Sequence, residues 1–570
     1  MSKSPHLLET RGDADNVVSA LALHAEERPD ATALLLADQT VEYGRLAEWV
    51  GQAARYLWSF GVSEHVVVGL SFRDDVSKIV ALLAVGWLGA TAYSIPANAG
   101  ALRRADMIRA AGVELVLSDL PSEEARWNTN FAHFSKDVFR SGDIGTVAPP
   151  AIVPYPQAPL FIITGSGSTG EPKRIPVTHP QVRERLRSEK QRLGLTAQDR
   201  IGDFSSLDFA DPKHWLWDSL MVGAAFVPAH AVLSRLQAGD MTVLTLTVYF
   251  VEQLLRPTAA SLWPALRRLR VFCVGSATVS GDLRRRIEAT LCPRLYVDYG
   301  SNEAGLVSIL TPEDEPSHPG SVGRPLPGVE IQIVDDRARV LPPNQVGRIR
   351  CSSPAVFDGY VDDDTANQRA FQDGWFYLGD LGYFDESGHL IFSGRADDMM
   401  IRDGINIYPA EIEQALSQHD AVADAAAFPL QHSVHQDLPV CAVALSGAES
   451  EAGAVNERVL KRFAAARLGE RAPARVVILG EIPRNQQGKI QRDELRRRVQ
   501  NALEPAIQYR EGEVRLGERR YPVEALSAAA QESLRALKAA DQHIQSIEYQ
   551  LAIAQAARAE FVRRLEEALP

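Results

Sequence analysis

The run Phe161-Ile-Ile-Thr-Gly-Ser-Gly-Ser-Thr-Gly170-Glu-Pro-Lys173 constrains this chain more than any other stretch. Three apolar residues read as the end of a buried strand. The Gly, Ser and Thr residues behind them offer many backbone N–H groups, several hydroxyls and little bulk, and one lysine closes the run. That chemistry suits the oxygens of a polyphosphate. Gly165-x-Gly167-x-x-Gly170 has the letters of a dinucleotide fingerprint, and Gly165-x4-Gly170 is half of a Walker loop, with Glu171 where the lysine is required. Both motifs need a helix directly behind the glycines. Pro172 and Pro176 oppose that helix, so the run reads as a phosphate loop between strands. A flexible Gly/Ser linker is the plain alternative.

The flanking sequence supplies a frame for such a loop. Val66–Leu70 and Ala92–Pro96 read as strands and Val80–Val85 as a helix. Alternation of this kind argues for parallel sheets covered by helices. Ile79 to Ala97 carries no charge; a buried helix running into a buried strand explains it better than a membrane span. Residues 121–157 read as a polar, Pro-rich surface connection. Met241–Val248 and Leu269–Gly275 are further buried strands, 320–394 a β-rich region and 405–500 a compact α+β module.

From about 505 the pattern changes. Tyr509–Leu516 suits a short hairpin. Leu526 to Leu569 contains no Gly or Pro, and Leu537, Ala540, Ile544, Ile547, Leu551, Ala554, Phe561, Leu565 and Ala568 form a heptad-like stripe. A helix pair folded on itself or on the body fits this stripe, as does a coiled coil for homo-oligomerisation or partner docking.

Net charge is −13, with no long basic run, so nucleic acid is not an expected partner. Cys273, Cys292, Cys351 and Cys441 are scattered, which argues against a disulfide framework or a zinc site. The N-terminus lacks an apolar signal segment. The expectation is a soluble, cytoplasmic protein.

Later motifs give the loop its context: Thr178-His179, Gly275-Ser-Ala277, Tyr299-Gly-Ser-Asn-Glu303, Gly374-Trp-Phe-Tyr-Leu-Gly-Asp380, Gly394-Arg-Ala-Asp397, Arg402-Asp-Gly404 and Ile482-Pro-Arg-Asn-Gln-Gln-Gly-Lys489. In this order they resemble the signatures of the acyl-adenylate-forming superfamily: acyl-CoA synthetases, peptide-synthetase adenylation domains and luciferases. The resemblance covers roughly residues 15 to 500 and leaves out the tail. It implies an α/β fold with a large N-terminal domain of helix-covered sheets plus a β-rich subdomain (1–396). A small mobile α+β C-terminal domain (397–504) and an extra helical tail (505–570) follow.

The same resemblance implies an enzyme that joins a carboxylic acid to ATP·Mg²⁺, releases pyrophosphate and passes the acyl group to a thiol, either CoA or the phosphopantetheine of an acyl carrier protein. Thr164, Gly165, Ser166, Gly167, Ser168, Thr169 and Gly170 would grip the phosphates, with Lys173 as a mobile cation. Glu303 would bind Mg²⁺, as a hard oxygen ligand should. Tyr299, Gly300, Ser301 and Asn302 would line the nucleotide, and Gly275, Ser276 and Ala277 would back adenine and the acyl group. Asp380 would hold the ribose hydroxyls and Arg395 ribose or phosphate. Asp397 falls at the hinge and Gly404 in the segment that faces the thiol. Lys489 would bridge carboxylate and α-phosphate, where a cation offsets developing charge. His179 would border the acyl pocket, though a lone histidine is often structural.

Phe209 and His214 fall in the expected acyl pocket. Amino-acid-activating relatives place an Asp after that Phe; Ala210 stands here, and Asp208 or Asp211 could serve only with a shifted register. The charge pairing therefore leans away from an α-amino acid. Arg174, Asn302 and Leu378 depart from the usual pattern. An amino-acid-activating enzyme, a ligase that stops at acyl-AMP and a non-catalytic adenylate-fold binding protein remain open alternatives.

Overall fold

The computed structural model describes residues 16–120, 129–140, 150–154, 156–165, 173–314, 320–402, 405–432, 436–446, 455–484, 490–503, 507–510, 513–516, 519–535 and 538. The chain forms two compact units, residues 1–491 and 492–570.

In the first unit, a six-stranded sheet runs in the order Asn130–His133, Leu115–Ser118, Val67–Ser71, Thr91–Ser94, Phe161–Gly165 (β1) and Lys173–Val177 (β2). All its neighbours are parallel except β1 and β2. The helix Asp75–Trp87 starts where the Asp74 carboxylate accepts from Ser77 N–H at 2.8 Å. Its turns from Val76 to Gly86 are buried on every side, which accounts for the charge-free stretch expected there. The 121–157 segment departs from its expected role as a surface connection. Asn130–His133 joins the sheet, and Phe134 and Phe139 are fully buried. Widely spaced aromatics anchor it to the core although its average composition is polar.

Behind β2, helix α1 (His179–Leu193) opens with a capping box, Thr178 against Gln181, and closes on Gly194 in the left-handed region. Strand β3 (Arg200–Asp203), helix α2 (Ala210–Val222), strand β4 (Val243–Thr247), helix α3 (Val248–Leu254), strand β5 (Val271–Gly275), strand β6 (Leu295–Ser301) and strand β7 (Gly305–Leu310) follow. They build a nine-stranded sheet whose centre, from Thr32–Leu35 through β3, β4 and β5 to β6, is parallel. One continuous core takes Leu70 and Phe161 from the first sheet, Ile201, Val243 and Val271 from the second, and Leu83 and Trp217 from the helices between. Alternation along β4 sends Leu244 and Leu246 into a separate core on the sheet's other face.

A five-stranded sheet carries Glu330–Val334, Gly347–Ser352, Phe371–Gln372, β8 (Trp375–Phe384) and β9 (Leu390–Arg395). A second five-stranded sheet, from Met400–Arg402 to Arg475–Leu479, buries Met400, Ile412, Val443 and Leu460 with the helices Pro409–Ser417 and Glu457–Leu468. These are the β-rich region and the α+β module read from the sequence.

The second unit holds the helix Arg492–Leu503 and a three-stranded antiparallel sheet, Ile507–Arg510, Glu513–Leu516 and Arg519–Pro522. The expected hairpin thus gains a third strand. Residues 528–535 are helical, and the heptad-like stripe from Leu537 onward lies outside the described residues. Among the described residues no helix is long and apolar enough to cross a membrane.

Candidate active site

The phosphate loop is held at both flanks. β1 and β2 pair antiparallel, with Gly165 opposite Lys173 and Thr164 opposite Arg174. A strand, not a helix, therefore follows the glycines. The Thr164 and Tyr93 hydroxyls lie 3.1 Å apart. Lys173 Nζ stands 4.6 Å from the centre of the Tyr360 ring, a cation–π position. Arg174 donates to the carbonyls of Ala110 and Val361 and pairs with Asp362 at 3.1 Å, so this departure from the usual glycine ties the loop's base to its surroundings. Ser166, Gly167, Ser168, Thr169 and Gly170 lie outside the described residues.

The turn from β6 to β7 carries the second cluster. At Gly300 a Cβ would meet the Gly305 carbonyl oxygen at 2.1 Å, so only glycine lets the strands close there. The Ser301 hydroxyl accepts from Ala304 N–H at 3.2 Å. Arg185 on α1 donates to the carbonyls of Asn302, Glu303 and Ala355 at 3.1–3.3 Å, and its other nitrogen lies 2.9 Å from His214 Nε2. Phe357 N–H also donates to the Glu303 carbonyl, at 2.8 Å. With its backbone clamped, Glu303 turns its side chain to the Tyr360 hydroxyl, which donates to Oε1 at 2.9 Å. Burial, and then the Glu303 charge, hold the Tyr360 phenol protonated. Among the described residues no group of three or more His, Cys, Asp or Glu could hold a metal ion. A cation at Glu303 would complete its shell with oxygens of phosphates and water, the mixed coordination that suits Mg²⁺.

Next to it, the Tyr299 hydroxyl donates to Asp380 Oδ2 at 2.6 Å, and Arg395 donates to Asp380 Oδ1 at 2.8 Å and to the Leu378 carbonyl at 3.1 Å. Burial pushes the Asp380 carboxyl up and the Arg395 charge draws it back down. Each oxygen keeps a lone pair for a further donor. The structure thus joins Lys173 to Glu303 through one added residue, Tyr360, and links Tyr299, Asp380 and Arg395 in a chain beside them.

At the carboxyl end of β5, a Cβ on Gly275 would lie 1.5 Å from Asp298 Oδ1, so the missing side chain makes room for that carboxylate. Ser276 takes a positive φ of 67°, turning the chain sharply into Ala277. Phe209 is the N-cap residue of α2 and His214 lies one turn inside it. Burial first, then the Arg185 and Lys213 charges, push the His214 imidazole far down, so it is neutral. His179 is differently placed. It is fully buried, its Nδ1 accepts from Val17 N–H at 3.2 Å, and burial followed by Arg183 pushes it down to about 3. This is a neutral core imidazole with no exposed surface. Asp208 is taken up by Lys78, which leaves Asp211 as the acid that faces Ser276, at 3.4 Å.

A family model described as AMP-binding enzyme matches residues 21–361, and one described as AMP-binding enzyme C-terminal domain matches 411–489. The chain belongs to the AMP-binding enzyme family. The oxalate–CoA ligase of Arabidopsis thaliana is 28% identical over 510 residues, 84% of this chain and 98% of that protein. The indoleacetate–CoA ligase of Aromatoleum aromaticum is 29% identical over 84% of this chain and 96% of its own. The structure of O-succinylbenzoate coenzyme A synthetase from Bacillus subtilis, in complex with ATP and magnesium ion, has a TM-score of 0.74. It is 25% identical and covers 84% of this chain and 99% of its own. ATP-bound MatB from Rhodopseudomonas palustris shares the fold, with a TM-score of 0.75 at 21% identity over 85% of this chain and 99% of its own.

In this AMP-binding enzyme, Asp397 belongs to the 3₁₀ turn Ala396–Asp398, which links β9 to the small-domain sheet. Gly404 and Lys489 lie outside the described residues. Three site residues escaped the sequence reading. Tyr360 closes the run Phe357-Asp-Gly-Tyr360, an aromatic–turn–aromatic signal that was there to read. Arg185 is one charge among several on α1, and nothing local marks it as the one that turns inward. Asp298 precedes Tyr299 and gains its meaning only from Gly275 on the neighbouring strand.

Proposed function

We propose that this chain is an AMP-forming acid–thiol ligase, with CoA as the acceptor its relatives' names point to and a carrier-protein pantetheine as the alternative. A carboxylate oxygen attacks the α-phosphorus of ATP, the bond to the β-phosphate oxygen breaks and pyrophosphate leaves. The thiol sulfur then attacks the acyl carbon and AMP departs. Lys173 offsets charge on the phosphates, Glu303 presents one hard oxygen ligand, and Asp380 with Arg395 orients the ribose. Mg²⁺, when bound, neutralises phosphate charge.

One observation carries the reading: Tyr360 joins the phosphate-loop lysine to the Glu303 carboxylate, beside the Tyr299–Asp380–Arg395 chain. Pyrophosphate exchange over a panel of acids tests the first step. Thioester formation with CoA, and separately with a pantetheinylated carrier, tests the second. Absence of exchange with every acid, in a folded protein that binds no acyl-adenylate analogue, would reject the proposal.

A further inference from the structure

Acidic side chains gather at the carboxyl ends of the parallel strands in the nine-stranded sheet. Ligands of open α/β sheets bind outside such strand ends. Asp203 ends β3, Thr247 ends β4, Gly275 ends β5, and Asp298 is the residue of β6 just past its parallel pairing with β5. In register, Thr245 is opposite both Asp203 and Cys273, and Thr247 is opposite Gly275. Side chains alternate along a strand, so Thr245 and Thr247 share one face, away from Leu244 and Leu246. On that face Asp298 fills the space a Gly275 side chain would take, and Cys273 Sγ lies 3.3 Å from it. Asp211, in the first turn of α2, completes the wall where Ser276 reaches it. Exposure grades inward: Asp211 and Ser276 are exposed, Asp298 is half-buried, and Asp203 and Thr247 are buried.

Three carboxylates thus gather at the strand ends; the Arg185 charge reaches Asp211, while the hydrogen bonds of the nearby cations go to backbone carbonyls. Arg185 is spent on the carbonyls of the β6–β7 turn and Ala355, and Lys213 on the carbonyls of Asp208 and Phe209. Among the described residues neither Asp203 nor Asp298 has a cationic partner. Burial first, and then neighbouring carboxylates, push both up to about 7.

Thr247 gives an independent sign of a ligand. It stands at the N-cap of α3, where a threonine normally accepts from the helix's own N–H groups. Its side chain makes no cap bond, and the hydroxyl is buried at 7% exposure with no partner. A buried hydroxyl left without a partner is destabilising unless a ligand supplies one. Its register beside Gly275 directs it to the face where Asp298 lies.

We propose, resting on the ligase reading above, that the acyl group this site accepts carries a protonated nitrogen, an ammonium or amidinium, that pairs with Asp298 and Asp211 and is bonded by Thr247. The substrate class is an amino- or amidino-carboxylic acid. A second carboxylate in the same place would meet Asp298 and Asp211 instead of a cation. The cation contacts are these two acids and not the residue after Phe209, which is Ala210.

Matched trios of acids test this: 4-aminobutyrate, pentanoate and glutarate, and 3-(aminomethyl)benzoate, 3-ethylbenzoate and 3-(carboxymethyl)benzoate. Each acid is assayed by pyrophosphate exchange, and its acyl-sulfamoyl-adenosine is titrated for binding, so that recognition is read without chemistry. The ammonium member of a trio should bind, and exchange with kcat/KM, about tenfold or more better than the neutral member, with the dicarboxylate weakest. Asp298→Asn and Asp211→Asn should each erase most of that preference while the neutral analogue still binds. Analogues that bind with the neutral or dicarboxylate member favoured would overturn the proposal and leave the ligase reading standing. No binding by any of the six analogues would overturn both. Equal weakening of all three members of a trio by Asp298→Asn would mean a structural role only and would also overturn it.

Discussion

Tyr360 holds Glu303 through one hydroxyl, and the phenol ring supports Lys173 from its face. Tyr360→Phe keeps the ring and removes the donor. The effect should fall on the cation that Glu303 presents itself to: the Mg²⁺ concentration for half-maximal exchange rises about tenfold or more, with ATP affinity at saturating Mg²⁺ changing less. Exchange titrated with Mg²⁺ reads this. His179 tests a different residue-scale claim, that it stabilises the core as a neutral group. Its folded value of about 3 lies below the ordinary 6.5. As pH falls the unfolded chain therefore takes up the proton first. The stabilisation is whole above about pH 6.5 and is lost as pH drops toward 3, at up to about 1.4 kcal/mol per pH unit. The melting-temperature gap between wild type and His179→Asn should stay constant from about pH 8 to about pH 6.5 and narrow steadily from there to about pH 5. A gap constant over the whole range would show that His179 ionises as freely in the folded protein as in the unfolded one.

At the scale of elements, the β6–β7 turn is the part most exposed to small changes. Gly300→Ala places a methyl 2.1 Å from a backbone oxygen, which no rotamer can relieve, whereas at Gly480 a Cβ meets nothing within 4 Å. Gly300→Ala should lower stability by about 2 kcal/mol or more and cut exchange at least about tenfold where the protein is still folded, with Gly480→Ala as the silent control. Denaturant midpoints alongside exchange rates check this. The small domain brings a second element-scale expectation, by resemblance. Lys489→Ala should slow adenylation by about 10²-fold or more, the usual loss for one preorganised donor. Thioester formation from supplied acyl-AMP should survive. Equal loss of both steps would remove Lys489 from the role proposed for it.

At the scale of the whole molecule, the chemistry-bearing motifs end before Arg492, and residues 492–570 form their own compact unit. Truncation after residue 504 should leave exchange intact and change the molecule's mass in solution, because the stripe from Leu537 has the width of a seam for a single partner helix. Light scattering with exchange in parallel decides it. Unchanged mass with lost exchange would mean the tail supports the catalytic body.

The sequence by itself determined what depends on neighbours along the chain. Pro172 and Pro176 barred a helix and the structure has β2; the charge-free stretch became a buried helix and strand; the ordered motifs named the family. Tertiary structure decided what depends on neighbours across strands and helices. Asn130–His133 joined a sheet, with the helix Lys136–Arg140 behind it, because Phe134 and Phe139 found a core that polar composition concealed. Arg185 became a clamp because α1 turns that one charge toward carbonyls more than a hundred residues away. His179, one residue past a capping threonine, became a core imidazole because Val17 packs against it. The acidic cluster arises because Asp298, nearly ninety residues beyond Asp211 in sequence, is brought by the parallel strand order beside Asp203 and the first turn of α2. Short motifs record local backbone demands; burial, charge pairing and hydrogen-bond satisfaction depend on which distant groups the fold makes neighbours.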